Sequence, residues 1–284
     1  MFENCPPEAD PPLAENLAIE NYLNMDLSII IVNYKNLVKT RKCLEAISAS
    51  DFDGLSHEVI VVDNASGDYV DALKKDFPYV KIIKSPDNPG MGEGNNLGMK
   101  NAYGNFFLIL NPDTYVEKNT IKILFQHMEN NPRAGVIGPK LLNPDGSLQY
   151  SCLRFPKIYL PVMRRTFLGK LFKAELNRFM MADFDHDEVK EVDWMLGSAL
   201  MIRRSVLSKI GPAFDKRFFM FFEDTDLCRR VKAAGFAVTY IPPAVAVHDH
   251  ARSSAKGLWF IAPFTNKLAR AHIASWIKYF WKWK

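Results

Sequence analysis

Leu27-Ser-Ile-Ile-Ile-Val-Asn33 is apolar almost without interruption. A β-branched run of that kind predicts a strand buried on both faces. A polar, helix-like stretch follows from about Leu37 to Ser48, then a second such run, Glu58-Val-Ile-Val-Val-Asp63. Asn64-Ala-Ser-Gly67 closes it with a turn and a helix N-cap signal. The pattern repeats as a helix over about 69–76, a strand at Val80-Lys-Ile-Ile83, a helix from Asn95 to about Tyr103 and a strand at Asn105-Phe-Phe-Leu-Ile-Leu110. Strand and helix alternate four times over short links, which predicts an α/β fold with a mostly parallel sheet and helices on both faces. Ligands of such sheets bind at the carboxyl ends of the strands. Asn33-Tyr34, Asp63-Asn64, Asp87-Asn88 and Asn111 to Asp113 all fall there.

The second half is less periodic. Val136 to Leu141 predicts a short strand, Val192 to Arg203 strand around Gly197, Glu223 to Ala234 a helix and Ala237 to Ile241 a strand. Residues 155–190 are basic, aromatic and weakly periodic, and read as loop and helix. Prolines at 6, 7, 11 and 12 mark residues 1–25 as a disordered tail, too acidic for a signal peptide.

A net charge of +4 is too small to point to nucleic acid by itself. The distribution is more telling, because no acidic residue follows Asp249 while seven Lys and Arg do. Cys5, Cys43, Cys152 and Cys228 form neither a C-x-x-C pair nor a disulfide framework, which fits a reducing, cytoplasmic compartment. No apolar run approaches the ~18 residues needed to span a bilayer, so the expectation is a soluble or peripheral protein.

Several polar positions carry candidate chemistry. Asp63 and Asp113 end apolar strands, and a carboxylate there must be solvated, paired or ligated. Helix capping is one reading of Asp63. For Asp113, the sharp Asn111-Pro-Asp-Thr114 turn points the carboxylate off the sheet edge, where a divalent cation beside a diphosphate is its natural partner. Glycines at 90, 92, 94 and 98, set among Asn88, Asn95 and Asn96, read either as a flexible turn or as a phosphate cradle at a helix start. Glu223-Asp224-x-Asp226 follows the aromatic run Phe218 to Phe222. An apolar wall raises a carboxyl pKa and excludes water, as a general base requires. Asp224 is the expected base and Glu223 its competitor, while Asp226 also suits a helix start. His248 and His250 read as surface residues or, near acidic groups, as a metal ligand.

In order, these pieces resemble the family 2 glycosyltransferases of the GT-A fold, in particular the rhamnosyltransferase-like group. The matching residues are Ile31-Val-Asn-Tyr34, Val61-Val-Asp-Asn-Ala-Ser66, Asn88-x-Gly90, Asn95-Asn-x-Gly98 and Leu110-Asn-Pro-Asp-Thr114. They continue with Asp193-Trp-Met-x-Gly-Ser-Ala-x-Met201, Phe222-Glu-Asp-x-Asp-Leu-Cys-x-Arg229, and His248 with Ser253-Ser254. The resemblance covers 26 to about 255. It implies a glycosyltransferase domain over 26–255, with a nucleotide-sugar half at 26–115 and an acceptor half at 116–255. It implies donor binding by Asn33, Tyr34, Asp63, Asn64, Asn88, Asn95 and Asp113, with Mg²⁺ or Mn²⁺ on Asp113 and His248. Trp194 and Gly197 would shape the acceptor side, and Asp224 would be the base of an inverting transfer. Many members have Asp-x-Asp where this chain has Asn111-x-Asp113.

The resemblance favours dTDP-rhamnose as donor, with a UDP-sugar as the alternative, and a growing cell-surface glycan as acceptor. The C-terminal segment 256–284 is basic and amphipathic. On a helix, Ile273, Trp276, Ile277, Phe280 and Trp281 share one face away from the cations. That predicts contact with an anionic membrane surface, to which Arg164, Arg165, Lys170, Lys173 and Arg178 add charge, and hence a lipid-linked acceptor at the inner face of the cell membrane. The alternative is a helix packed on the protein. Two other functions compete. A non-catalytic sugar-nucleotide or glycan-binding module would not need the Glu223-Asp224 pair. A sugar-nucleotide pyrophosphorylase needs a Gly-rich loop directly after the first strand, where Asn33-Tyr-Lys-Asn36 stands instead.

Overall fold

The computed structural model describes residues 25–160, 163, 171–250 and 266–284. The predicted tail over residues 1–24, Arg164, Arg165, Lys170 and the Ser253-Ser254 pair lie outside the described residues.

The first half follows its hydrophobic pattern closely. Strand β1 (Leu27–Asn33) is buried at all seven positions. Helix α1 (Leu37–Ser48) leads to β2 (His57–Asp63), and a 3₁₀ helix over Val70–Lys75 leads to β3 (Val80–Lys84). Helix α2 (Met91–Lys100) and β4 (Phe106–Leu110) complete the half. β1 pairs in parallel with β2 and with β4, and β2 with β3, so Asn33 and Asp63 end in register. Helix α2 starts four residues earlier than the pattern predicts. Its first turn is Met91-Gly-Glu-Gly94, and tight contact with the sheet holds glycine in a helix it does not favour. A Cβ on Gly98 would stand 2.5 Å from Ile30, and one on Gly94 2.9 Å from Val32.

The second half departs further from its pattern. After β5 (Thr114–Val116) and α3 (Thr120–Asn130), β6 spans Ala134–Leu142, longer than predicted. A hairpin brings in β7 (Leu148–Gln149), followed by β8 (Cys152–Leu153) and α4 (Lys173–Phe179). Strands β9 (Lys190–Glu191), β10 (Trp194–Met195) and β11 (Ala199–Arg203) precede α5 (Arg204–Ile210) and α6 (Glu223–Ala233). β12 does not stop at Ile241 but runs from Ala237 to His248. A register shift between Ile241 and Val245 absorbs Pro242 and Pro243, which lack the amide hydrogens a regular ladder needs. The last described helix is α7 (Lys267–Lys282).

The main sheet runs β3-β2-β1-β4-β11-β6-β12-β5. Its first four strands are parallel as predicted. β11 is antiparallel to both neighbours and β5 is antiparallel to β12, so the whole sheet is mixed. One core lies under α1 and α3, built from residues such as Ile29, Ile31, Leu44 and Leu124. A second lies on the opposite face with Ile30, Val62, Phe107 and Leu227. Both faces are thereby closed, and polar side chains collect at the strand ends.

Candidate active site

Three strand ends and one helix start converge. The turn after β4 places Asp113, and the pairing of β5 with β12 sets His248 opposite Thr114. The Asp249 amide donates to the Asp113 carbonyl at 2.9 Å. Residues far apart in the chain thus bring His248 Nε2 to 3.4 Å from Asp113 Oδ1. Lys39 of α1 approaches the other carboxylate oxygen at 3.9 Å while its ammonium is held by Asp249. Burial opposes the charge on Asp113, yet the hydrogen bond and charge of His248 and the charge of Lys39 outweigh it and hold the carboxyl below its ordinary range. His248 is 5% exposed, and its Nδ1 lies 2.6 Å from the side-chain oxygen of Gln149.

The second carboxyl group sits at the start of α6. Phe221 and Phe222 have φ of 70° and 66°, so two aromatic residues in succession adopt the left-handed region. Such backbone costs on the order of 1–3 kcal/mol per residue and persists only where packing imposes it. Here Phe222 packs on His272, Tyr279 and Phe280 of α7. The turn delivers Glu223 and Asp224 into a half-buried position against the aromatic run. Asp224 Oδ2 accepts from the Gly197 amide at 2.9 Å, and Oδ1 accepts from the Thr225 amide at 2.7 Å and its hydroxyl at 3.3 Å. A Cβ at residue 197 would stand 3.2 Å from the Asp224 Cβ, so glycine permits the close approach. The Glu223 Oε2 atom is buried with no partner.

This asymmetry divides the pair. Burial, and then the adjacent Asp224 charge, push Glu223 up to about 8. Burial also raises Asp224, but its three donors pull the other way. Two carboxyls this close resist ionising together, and the negative charge settles on the one with hydrogen bonds. Asp224 therefore keeps the anion and Glu223 the proton.

The predicted donor residues fall into two groups. Tyr34 is half-exposed, and Asp63 caps the turn after β2 by accepting from the Ser66 amide. Asn88 Oδ1 accepts from the Gly90 amide. Asn33, Asn64 and Asn95 are buried. The Asn33 amide donates to Ser66 and Asp68 and accepts from the Thr40 hydroxyl, and Asn64 donates to Asn88 and to the Gly90 carbonyl. Asn95 donates back to Met91 within its own helix. These three brace the walls. The glycine loop behaves similarly. The Met91 amide at the start of α2 donates to the Phe219 carbonyl, and Gly90, at φ 102°, leaves no room for a Cβ against that carbonyl. The loop docks on the aromatic run through these contacts. Trp194 is buried and donates to the Arg154 carbonyl, forming a wall behind Gly197.

Lys39, Gln149 and Asp226 have larger roles than the sequence suggested. Asp226, fully buried, accepts from Arg230 at 2.8 Å, from Lys282 at 2.6 Å and from the Trp283 indole at 2.8 Å. It therefore anchors the last turn of α7 to the helix that bears Asp224. The hairpin turn Asn143-Pro-Asp-Gly-Ser147 was a readable signal, but nothing along the chain pairs Gln149 with His248.

A model of the family described as glycosyl transferase family 2 matches residues 28–211. An N-acetylglucosaminyl-diphospho-decaprenol L-rhamnosyltransferase of Mycobacterium tuberculosis is 29% identical over 81% of this chain and 78% of that protein. The rhamnosyltransferase WbbL of Escherichia coli K12 is 26% identical over 88% and 91%. Among solved structures, GalNAc-T7 with UDP, GalNAc and Mn²⁺ aligns with a TM-score of 0.60 at 14% identity, over 80% of this chain but only 44% of that one. That likeness establishes a shared GT-A architecture.

The buried pair makes a pH-dependent contribution to stability. A carboxyl raised in the folded state favours folding fully below its unfolded value, near 4.5, and that contribution is lost as pH rises through about 8. Thermal denaturation of Glu223→Gln should therefore show a flatter decline between pH 5 and 8 than the native chain. The variant should be the more stable by at least about 3 °C at pH 8.5. Parallel curves would mean that Glu223 is already ionised in the fold.

Proposed function

This chain belongs to glycosyl transferase family 2, and from that premise we propose that it transfers rhamnose from dTDP-rhamnose, with inversion, to a lipid-linked cell-surface glycan. The observation that supports this most directly is the half-buried Asp224 carboxyl, which accepts from the Gly197 amide and from Thr225 beside a Glu223 oxygen that has no partner. The sequence resemblance to the mycobacterial and E. coli rhamnosyltransferases supports the sugar. The name of the mycobacterial relative, whose acceptor is a diphospho-decaprenol, supports the lipid link.

In this reading Tyr34 and Asp63 line the nucleoside pocket, Asn88 lies near the diphosphate, and Asn33, Asn64 and Asn95 hold those walls in place. Asp113 and His248 would hold Mg²⁺ or Mn²⁺. Their oxygen and nitrogen converge at 3.4 Å, and one or two protein ligands completed by substrate phosphates suit such a cation. Among the described residues no third His, Cys, Asp or Glu joins them, which leaves the remaining positions to the diphosphate and water. When bound, the cation supplies Lewis-acid stabilisation of the leaving diphosphate. Asp224 accepts the proton of the acceptor hydroxyl as its oxygen bonds to the anomeric carbon. The bond from that carbon to the diphosphate oxygen breaks, and the nucleoside diphosphate leaves with the bonding electrons. Attack from the face opposite the diphosphate inverts the centre, and a single base with no dedicated nucleophile suits that displacement. Trp194 and Gly197 border the acceptor side. Glu223, kept neutral by its buried setting, avoids a second negative charge beside the base.

The surface offers a place for the acceptor's lipid. Part of the face predicted to meet a membrane packs inward instead: Trp276 and Phe280 pack against Phe218, Phe222 and the fully buried Tyr279 beside them. Covering the strained turn at Phe221-Phe222 outweighs leaving these rings in water. Ile277 and Trp281 remain exposed on α7, as do Ile158 and Tyr159, whose neighbourhood is joined to α7 by the Trp276 indole donating to the Ile158 carbonyl. No described helix is long and apolar enough to cross a membrane. In this reading the exposed residues and nearby lysines rest on an anionic cytoplasmic leaflet, beside the base.

Calorimetric titration with dTDP, UDP and GDP, each with and without Mn²⁺, tests the donor and the cation together. Metal-dependent binding of dTDP that Asp113→Ala removes is the expected result. No nucleotide binding under any condition would overturn the transferase reading. Asp224→Asn should lower kcat by about 10² to 10⁴ while leaving dTDP affinity unchanged, and undiminished turnover would remove Asp224 as the base. In sedimentation with vesicles containing anionic lipid, Trp281→Ser with Ile277→Ser should release most of the bound protein. Equal binding by native chain and variant would remove α7 from the membrane contact.

A further inference from the structure

We infer that Gln149 is a positioning residue for the cation, setting the tautomer and the orientation of His248 so that Nε2 is the ligand atom aimed at Asp113. This rests on the reading of Asp113 and His248 as the cation pair. Gln149 sits on β7 and is paired across the hairpin with Leu141. Its side-chain nitrogen donates to Asn143 Oδ1 at 2.9 Å and lies 3.5 Å from the His248 carbonyl. Both neighbours are acceptors, which fixes the direction of the amide. Its oxygen then faces His248 Nδ1 at 2.6 Å. An amide oxygen only accepts, so the hydrogen is on Nδ1. The other ring nitrogen, Nε2, stands 3.4 Å from Asp113 Oδ1, where it donates to the carboxylate when the ring is charged and offers its lone pair to a cation when the ring is neutral.

With the ring neutral, that lone pair and the carboxylate oxygen repel unless a positive centre joins them, and both would ligate a divalent cation placed there. The ring has little freedom to turn away. His248 is 5% exposed and stacks on His250 with centroids 5.1 Å apart. Lys39 approaches Asp113 through the other oxygen and leaves the Oδ1 side to His248. Histidine ligands usually donate their second nitrogen to an outer acceptor, and loss of that acceptor typically weakens metal affinity 10- to 100-fold. Gln149 supplies that acceptor from a two-residue strand. Asn143, whose own amide donates to Ser147, keeps Gln149 from turning over. The chain of contacts runs from the hairpin turn through Asn143, Gln149 and His248 to Asp113.

The test is titration of the full chain with Mn²⁺ in the presence of saturating UDP, reading free Mn²⁺ by electron paramagnetic resonance. Gln149→Leu, which keeps the bulk but removes the acceptor, should weaken Mn²⁺ binding about 10- to 100-fold. Gln149→Glu, which restores an acceptor once the Asn143 amide turns to donate, should recover native affinity or better. The circular dichroism of the metal-free chain should be the same in all three proteins. Native Mn²⁺ affinity in Gln149→Leu would overturn the inference, and so would equal weakening by Leu and Glu, because Gln149 would then only staple the hairpin. Asp113→Ala separates the two levels. Loss of Mn²⁺ binding in that variant, alongside an unaffected Gln149→Leu, would leave the cation pair standing and remove Gln149 alone. Native binding in Asp113→Ala would remove the pair and the inference with it.

Discussion

The Gly197 amide donates to Asp224 at 2.9 Å, and the next carbonyl, that of Ser198, accepts from the Asn111 amide at 2.9 Å. One dipeptide thus links the Asp224 carboxyl to the turn that presents Asp113. It can do so because β11 inserts antiparallel beside β4, which brings the Gly197 end of one strand to the Asn111 end of the other. Without that insertion the turn after β4 and the start of α6 would share no backbone link. The glycine is essential to the contact, since a side chain there would press on Asp224.

The site separates its charges with care. Asp113 is kept anionic by His248 and Lys39 in a partly open position. Asp224 and Glu223 are desolvated together, and hydrogen bonding decides which of them is charged. The strained turn that places them is held by rings of α7 and by the buried Asp226 with its three donors. The C-terminal helix is therefore part of the site's support, whatever its outer face touches.

Much of this was legible in the chain. The continuous apolar strands, their order and the polar residues at their ends follow from hydrophobic pattern and turn chemistry, which act over a few residues. The acidic pair after an aromatic run was also readable, because burial beside carboxyls has a predictable electrostatic consequence. The expected helix start at Asn95 was four residues late, since helix propensity disfavours the glycines that close packing on Phe214 and on Val32 retains at 92 and 94. The end of β12 was misplaced for a similar reason. Pro242-Pro243 breaks a regular ladder, yet a bulge carries the strand on to His248.

The sequence by itself determined the α/β class, the strands that build the first half of the chain and the residue types available for chemistry, because each depends on local periodicity. Only the tertiary structure decided which of those residues meet. It paired Asp113 with His248 across a non-local strand contact, and it gave Asp224 rather than Glu223 the hydrogen bonds that hold a charge. It buried Asn33, Asn64 and Asn95 in hydrogen bonds behind the strand ends and folded part of an amphipathic helix face inward. Those outcomes depend on distances between segments far apart in the chain, and the free energy that fixes them is that of packing and desolvation in the assembled fold.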